Sequence, residues 1–568
     1  MNTRSLLIIG YILLIPHLSD AQSEVEKKFT KADTLRGSIT PERAWWDLLH
    51  YSIEVQPDLI EKTIKGSVVI SFKAIQEGNR LQIDLQKPLV IDSVLVLSRN
   101  KKQQLTFSHE NNAAFIQLNS IMHKGEKKAI KVFYHGVPRE AVRPPWDGGI
   151  SWKKDKSGAP FVATSCQGLG ASVWWPCKDH QYDEPDSGMI ISVRIPDTLV
   201  EVSNGRLKNV INHKDRTKTW VWEVKNPINN YSVSMNIGKY SLIKDSFSGE
   251  GGKLSLQYYV LSSSKDSALK QLKQVKPMIK CFEHWFGKYP FYEDGYKLVE
   301  VPYLGMEHQS NVAYGNRYQN GYLGRDLSGT GWGLNWDFII IHESGHEWFG
   351  NNITSNDIAD MWIHEGFTNY SETLFTECLN GVDAGNEYNY GSRKNIRNDK
   401  PIIAPYHVQA SGSGDMYPKA SAMIHSIRQT MNDDQKFREM LRYLNKKFYH
   451  ANVNTEDIEK VMSSFAGYSL VPVFDQYLRN TTVPVLEYYV TVSKDRLVFR
   501  YTNAIPQFNL PLLVQTSSRE FIKILPKTTD WQYISLKPGQ DQQLNVKELE
   551  KRYYIQLQEK NELEIKMN

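Results

Sequence analysis

From about Asp47 to Lys244 the chain alternates apolar and polar positions in short runs, YSIEV, GSVVISFKAI, LQIDL, VIDSVLVL, MIISVRI, TWVWEV and YSVSMNI, separated by turn clusters. A two-residue period puts successive side chains on opposite faces of an extended strand, so this stretch predicts an all-β domain. Near Ser262 the period changes. Leu269, Leu272, Val275, Ile279, Phe282 and Phe286 recur at three- and four-residue steps, the spacing of one helical face. Helical patterns continue through IIIHESGHEWFG, then DMWIHEGFTNYSETLFTECLNG with Gly381 as a stop, then SAMIHSIRQTM, to about Arg479. After TTVPVLE the two-residue period returns in YYVTV, RLVFRYT, PLLVQT and EFIKILP, which predicts a small C-terminal β domain. The predicted organisation is α+β and multidomain, with an N-terminal β domain over 22–245, a helix-rich domain over 246–482 and a β domain over 483–568.

Residues 1–21 break this pattern. Arg4 precedes LLIIGYILLIPHL and then Ser19, Asp20 and Ala21, the layout of an export leader cleaved after Ala21. The apolar run is broken by Gly10 and Pro16 and is short for a membrane span. No other run of eighteen apolar residues follows, so no membrane anchor is expected after cleavage and the location is expected to be periplasmic or secreted.

Composition narrows the partners. The 568 residues are 40% hydrophobic and 11% aromatic with a formal charge of +5, values of a globular chain without a basic run, so nucleic acid and anionic membrane are not implied. Of four cysteines, only Cys166 and Cys177 are close in sequence; they either bridge or stay reduced, and the cysteine spacings do not resemble a structural zinc site.

The candidate chemistry sits in HESGHEWFGN. Positions four apart share one helical face, so His342 and His346 can converge on one metal ion. Glu343 points about 100° away from His342, placed to reach a water as general base rather than to become a ligand. A catalytic zinc site needs a third protein ligand and an open fourth position. Glu365 in WIHEGF supplies it, after eighteen intervening residues that leave room for a reversing loop. With fifteen histidines in the chain the pentapeptide alone is only suggestive. The position of Glu365 and the apolar run Phe338–Ile341 turn the balance to a zinc hydrolase with one Zn2+ per chain.

Beyond the pentapeptide, HESGHEWFGNNIT followed by MWIHEGF resembles the gluzincin metallopeptidases of the aminopeptidase-N and leukotriene-A hydrolase family. FGKYPFYEDGYKLVEVPYLGMEHQS resembles the segment leading to that family's exopeptidase motif. MYPKASAMIHSIR resembles the helix with its catalytic tyrosine, and SCQGLGASVWWPCKD resembles an N-terminal-domain segment that contributes a Gln or Glu. The resemblance spans roughly residues 40 to 480. It implies a β saddle, a thermolysin-like zinc catalytic domain and a small β-sandwich. It also implies an aminopeptidase acting on peptides with a free N-terminus. Glu343 would be the base, Tyr417 would stabilise the oxyanion, Glu307, Gln167 and Glu365 would hold the α-ammonium, and Gly305 and Met306 would align the peptide backbone. Asp360 and Glu372 are candidates for orienting the histidines.

The chain departs from the family in Leu304 and His308 flanking Gly305-Met306-Glu307, in His364 before Glu365, and in Ala420 where glycine is usual. A glycine-rich stretch between Tyr314 and Trp336 replaces the family's short link and is expected on the side-chain side of the pocket. The family's large C-terminal helical domain has no counterpart before Asn568, so the site is expected to be more open or closed by a partner subunit. The alternatives are a zinc endopeptidase or an epoxide-hydrolase-like enzyme on the same scaffold, and a silent binding protein, which the complete ligand set argues against.

Overall fold

The computed structural model describes residues 28–97, 102–515, 521–536 and 544–562, so the leader proposed over 1–21 lies outside the described residues. The N-terminal region is built on a ten-stranded sheet. Its centre is Trp46–Asp58, paired antiparallel with Thr63–Ala74 and parallel with Met189–Pro196. The alternation read in YSIEV places Tyr51, Ile53 and Val55 in the core, while Glu54 between them is exposed. A four-stranded sheet, including Gly149–Lys154 and Pro160–Ser165, completes the β domain.

The expected boundary at 245 falls inside a strand. Tyr240–Gly249 and Gly252–Leu261 form an antiparallel pair, and the second of them pairs in parallel with Tyr296–Glu300. Both strands therefore belong to the five-stranded sheet of the catalytic domain, and the division lies between Gly238 and Tyr240. A two-residue period reveals a strand but not the sheet it joins. The last strand of that sheet, Gly305–Met306, pairs among the described residues on one side only, with Val312–Tyr314.

Helices Val275–Phe286, Phe338–Gly345, Trp362–Asn380 and Pro418–Met431 share one core with that sheet. Past residue 484 come a four-stranded and a two-stranded sheet, together with a helix, Val546–Arg552, that the periodicity did not announce.

Cys281 on the first of these helices is bridged to Cys378 on the third, 97 residues apart, and Cys166 and Cys177 are free and buried. Closing so long a loop restricts the unfolded chain, so replacing both bridged cysteines by serine should cost about 2 to 5 kcal/mol. Denaturant titration without reductant reads this as a lower midpoint for the doubly substituted protein than for wild type; equal midpoints would show that the bridge contributes nothing.

A short N-terminal helix, Lys31–Gly37, lies across the seam between domains. Thr30 and Asp33 form a capping box at its start. The buried Arg43 holds its end, donating to the carbonyls of Leu35, Arg36 and Ser38 at 3.0, 3.1 and 2.8 Å and pairing with Asp84 at 2.5 Å.

Candidate active site and metal centre

The ligand helix starts where Asp337 caps it, accepting from Ile339 N at 3.1 Å and Ile340 N at 3.4 Å. His346 stands at its last turn with helical dihedrals, φ −62° and ψ −19°. Glu365 lies in the first turn of Trp362–Asn380. The two helices can approach because residue 345 is glycine: a Cβ there would stand 2.5 Å from Ser371 Oγ.

This approach brings the three expected ligands together. Glu365 Oε2 lies 3.6 Å from His342 Nε2 and 3.3 Å from His346 Nε2. That oxygen is buried without a hydrogen-bond partner, and a buried orphan acceptor is costly unless something occupies it. Both imidazoles are oriented from behind. His342 Nδ1 meets Glu372 Oε1 at 2.7 Å, and His346 Nδ1 meets Phe349 O at 3.0 Å and Thr368 Oγ1 at 3.1 Å. Two Nε2 atoms and one carboxylate oxygen converging on one point, with every Nδ1 engaged, fit a zinc ion.

Of the two acids expected behind the histidines, only Glu372 takes that role. It also accepts from Asn369 at 2.9 Å and from Tyr388 at 2.6 Å. Asp360 faces away: it accepts from Thr455 Oγ1 at 2.5 Å and Tyr406 at 2.8 Å, because it precedes the helix and points to its flank.

Glu343 lies on the cavity side. A Cβ at Gly305 would stand 2.8 Å from Glu343 Oε1 and 2.7 Å from Ile339, so glycine there lets the edge strand pass directly against the base. Burial, together with Glu307 and Glu365, holds the Glu343 carboxyl up at about 8 against the pull of His342 and His346. Burial acts the same way on Glu365, yet His346 and His342 win and hold it below the usual carboxylate range. The same cluster thus holds Glu365 as its ionised carboxylate and pushes Glu343 the other way.

Tyr417 caps the helix Pro418–Met431, and its ring stacks on His342 with centroids 5.9 Å apart. Burial, with Glu365 and Glu307 nearby, pushes its phenol well above the usual value, so it remains an O–H donor. Its segment is anchored by Asp415, which accepts from the backbone N–H of Arg397 at 2.9 Å and of Asn398 at 2.6 Å.

Gln167, from the β domain, donates through Nε2 to Glu307 Oε1 at 2.7 Å and to Glu365 Oε1 at 2.8 Å. The expected residues Glu307, Gly305, Met306, Gln167, Glu343, Tyr417 and the three ligands thus line one cavity of about 650 Å³.

Sequence reading missed what holds Gln167 in place. Arg36 of the N-terminal helix donates to Leu169 O and pairs with Asp179 at 3.1 Å, while Asp179 accepts from Ser172 N at 3.1 Å and Ser172 Oγ at 2.5 Å. On the other side Gln409 donates to Gly168 O. The Thr30-x-x-Asp33 spacing was the available signal for that helix. Tyr231, also missed, places its hydroxyl 3.5 Å from His364 Nδ1, and Trp146, 69% exposed, stands at the cavity rim. Of the departures from the family, His364 accepts from Ser355 N at 2.8 Å, whereas His308 is buried with neither ring nitrogen hydrogen-bonded.

A β domain lending one amide to an HExxH-plus-glutamate centre on an α+β domain defines a gluzincin-type metallopeptidase architecture. Residues 48–232 match the peptidase M1 N-terminal domain and residues 270–477 the peptidase family M1 domain, and the chain belongs to peptidase family M1. A puromycin-sensitive aminopeptidase of Caenorhabditis elegans is 21% identical over 471 residues, 77% of this chain and 47% of that protein. A leukotriene A-4 hydrolase of Xenopus laevis is 20% identical over 451 residues, 75% of this chain and 69% of that one. The chain thus spans about half the length of several curated relatives it matches. An M1 zinc metallopeptidase from Deinococcus radiodurans, a mutant solved bound to a Tyr-Ser-Ala substrate, shares the fold with a TM-score of 0.66 and 18% identity, covering 79% of this chain and 98% of that one.

Proposed function

We propose that this chain is a zinc-dependent aminopeptidase, and one observation carries the reading: Gln167, Glu307 and Glu365 form a polar clamp beside the ligand set. An α-ammonium carries three N–H donors and a positive charge. Two buried carboxylates and an amide oxygen match both. A clamp for the N-terminus next to the reacting centre confines cleavage to the first peptide bond.

His342, His346 and Glu365 would hold a zinc ion, which would supply a Lewis acid for the scissile carbonyl and for the attacking water. Glu343 accepts the proton of the attacking water as its oxygen bonds to the carbonyl carbon. It then delivers that proton to the departing amine nitrogen as the C–N bond breaks. Tyr417 donates its O–H to the oxyanion that develops between these steps. The free edge of Gly305–Met306 pairs with the substrate backbone as an added strand. The names of the relatives, most of them aminopeptidases, support the same reading.

Glu307→Ala tests it. The variant should keep its zinc and lose about 30- to 1000-fold in kcat/KM on a free-amine peptide, the effect of removing a charge-assisted contact. The N-acetylated peptide, with no ammonium to hold, should be cut slowly by both forms. An equal loss on both substrates reduces Glu307 to a structural part, and undiminished cleavage of the acetylated peptide by wild type favours an endopeptidase.

The reading extends to location. The leader layout of residues 1–21 and the Cys281–Cys378 bridge, a bond that persists in oxidising compartments, support work in the periplasm or after secretion.

A further inference from the structure

The segment between Tyr314 and Trp336 is a built element rather than a slack link. Asn316, fully buried, donates to Gly321 O and Asp337 Oδ1, both at 2.8 Å, and accepts from Leu323 N at 2.8 Å. Gly321 N donates to Trp336 O at 2.7 Å, and Asn395 donates to Leu327 O at 3.0 Å. Arg317, Tyr318 and Leu323 hold positive φ of 57°, 57° and 49°, a conformation side chains adopt only where surrounding bonds impose it. The segment is thus tied to Asp337, the residue that caps the ligand helix.

This places two of its side chains, Tyr322 and Leu327, in the wall of the active-site cavity. Tyr322 packs edge-on against Phe338 with centroids 5.4 Å apart, and Phe338 stacks on the ligand His342 at 5.2 Å. Leu304, next to the edge strand, and Tyr388 line the same cavity. In the aminopeptidase reading the first residue's Cα is bonded both to the ammonium, held at Glu307, and to the scissile carbonyl, held at the ligand set. Its side chain must leave from between those two points into the cavity that Leu304 and Phe338 also line.

We propose that the 315–335 segment, through Tyr322 and Leu327, completes the pocket for the substrate's first side chain, and that this pocket selects large uncharged side chains, aliphatic or aromatic. The inference rests on the aminopeptidase reading and names its substrate class. Tyr322, Leu327, Leu304 and Phe338 present a mostly apolar wall, and of the acids that line the cavity Glu372 already accepts from His342, Asn369 and Tyr388 and Asp415 from the backbone of Arg397 and Asn398, so neither is free to hold a basic side chain. Arg397 is the one cation among the lining residues, which makes an acidic preference the competing outcome.

The test is kcat/KM of the zinc-loaded protein on leucyl, phenylalanyl, alanyl, arginyl and glutamyl anilides. Leucyl and phenylalanyl substrates should exceed alanyl by about 10- to 100-fold, the discrimination an apolar pocket supplies over several methylenes. Tyr322→Ala and Leu327→Ala should each cut the leucyl-over-alanyl ratio about tenfold, while Tyr322→Phe, which keeps the ring, should preserve it. Zinc content and a melting curve confirm that each variant is folded, and the ratio is internal to each variant, so partial unfolding does not move it. Cleavage without the leucyl preference, a preference for glutamyl or arginyl substrate, or an unchanged ratio in both alanine variants overturns this inference alone. Failure to cut any free-amine anilide overturns the aminopeptidase reading and this inference with it.

Discussion

Glu343→Gln should lower kcat about a hundred- to ten-thousandfold, the usual contribution of a positioned general base, while zinc content and KM stay near wild type. The amide keeps the volume and polarity of the carboxyl but has no basic oxygen, so the water's proton has nowhere to go. The ligands are untouched, since Glu343 faces the cavity against Gly305 and the Nδ1 partners of both histidines lie elsewhere. Metal analysis beside single-turnover kinetics separates the two effects. A zinc-loaded Glu343→Gln variant retaining more than about a tenth of wild-type turnover would assign the proton transfer to another group.

Removing the metal should have the second large effect. Dialysis against dipicolinate should abolish turnover, and about one equivalent of zinc per chain should restore it, because the two groups able to hold a metal among the described residues share His346, and the imidazoles of His342 and His346 are both held from behind. The metal-free protein should also melt at a lower temperature, since an ion that binds only the folded chain stabilises it by mass action. The melting shift gives a readout independent of catalysis. Full activity in a sample shown to be metal-free would end the metallopeptidase assignment.

The parts of this molecule legible in its sequence are those fixed by local geometry. His342, His346 and Glu343 follow from helical spacing, and the apolar run Phe338–Ile341 announces that their helix is buried. Glu365 was reachable because one reversing loop connects its helix to theirs. Groups whose role depends on which elements pack together were harder to read. Glu372 and Asp360 are both acids on or near the same helix, yet only the former faces His342. The disulfide joined the pair distant in sequence because helices Val275–Phe286 and Trp362–Asn380 lie side by side, and no spacing rule contains that contact. The strand Tyr240–Gly249 straddles the expected boundary at 245 and joins the sheet of the following domain for the same reason.

The helix Lys31–Gly37 has a practical bearing on how this protein is produced. A chain trimmed to begin at residue 48, where the match to the family's N-terminal domain begins, would retain every ligand atom, the base and the tyrosine. It would also strand Asp179 and Asp84 without Arg36 and Arg43, the cations they face in the intact fold. The loop bearing Gln167 would lose its clamp from Leu169 O. Such a trimmed chain would hold its metal and grip its substrate poorly. A helix that lines no part of the cavity thereby braces the loop that does.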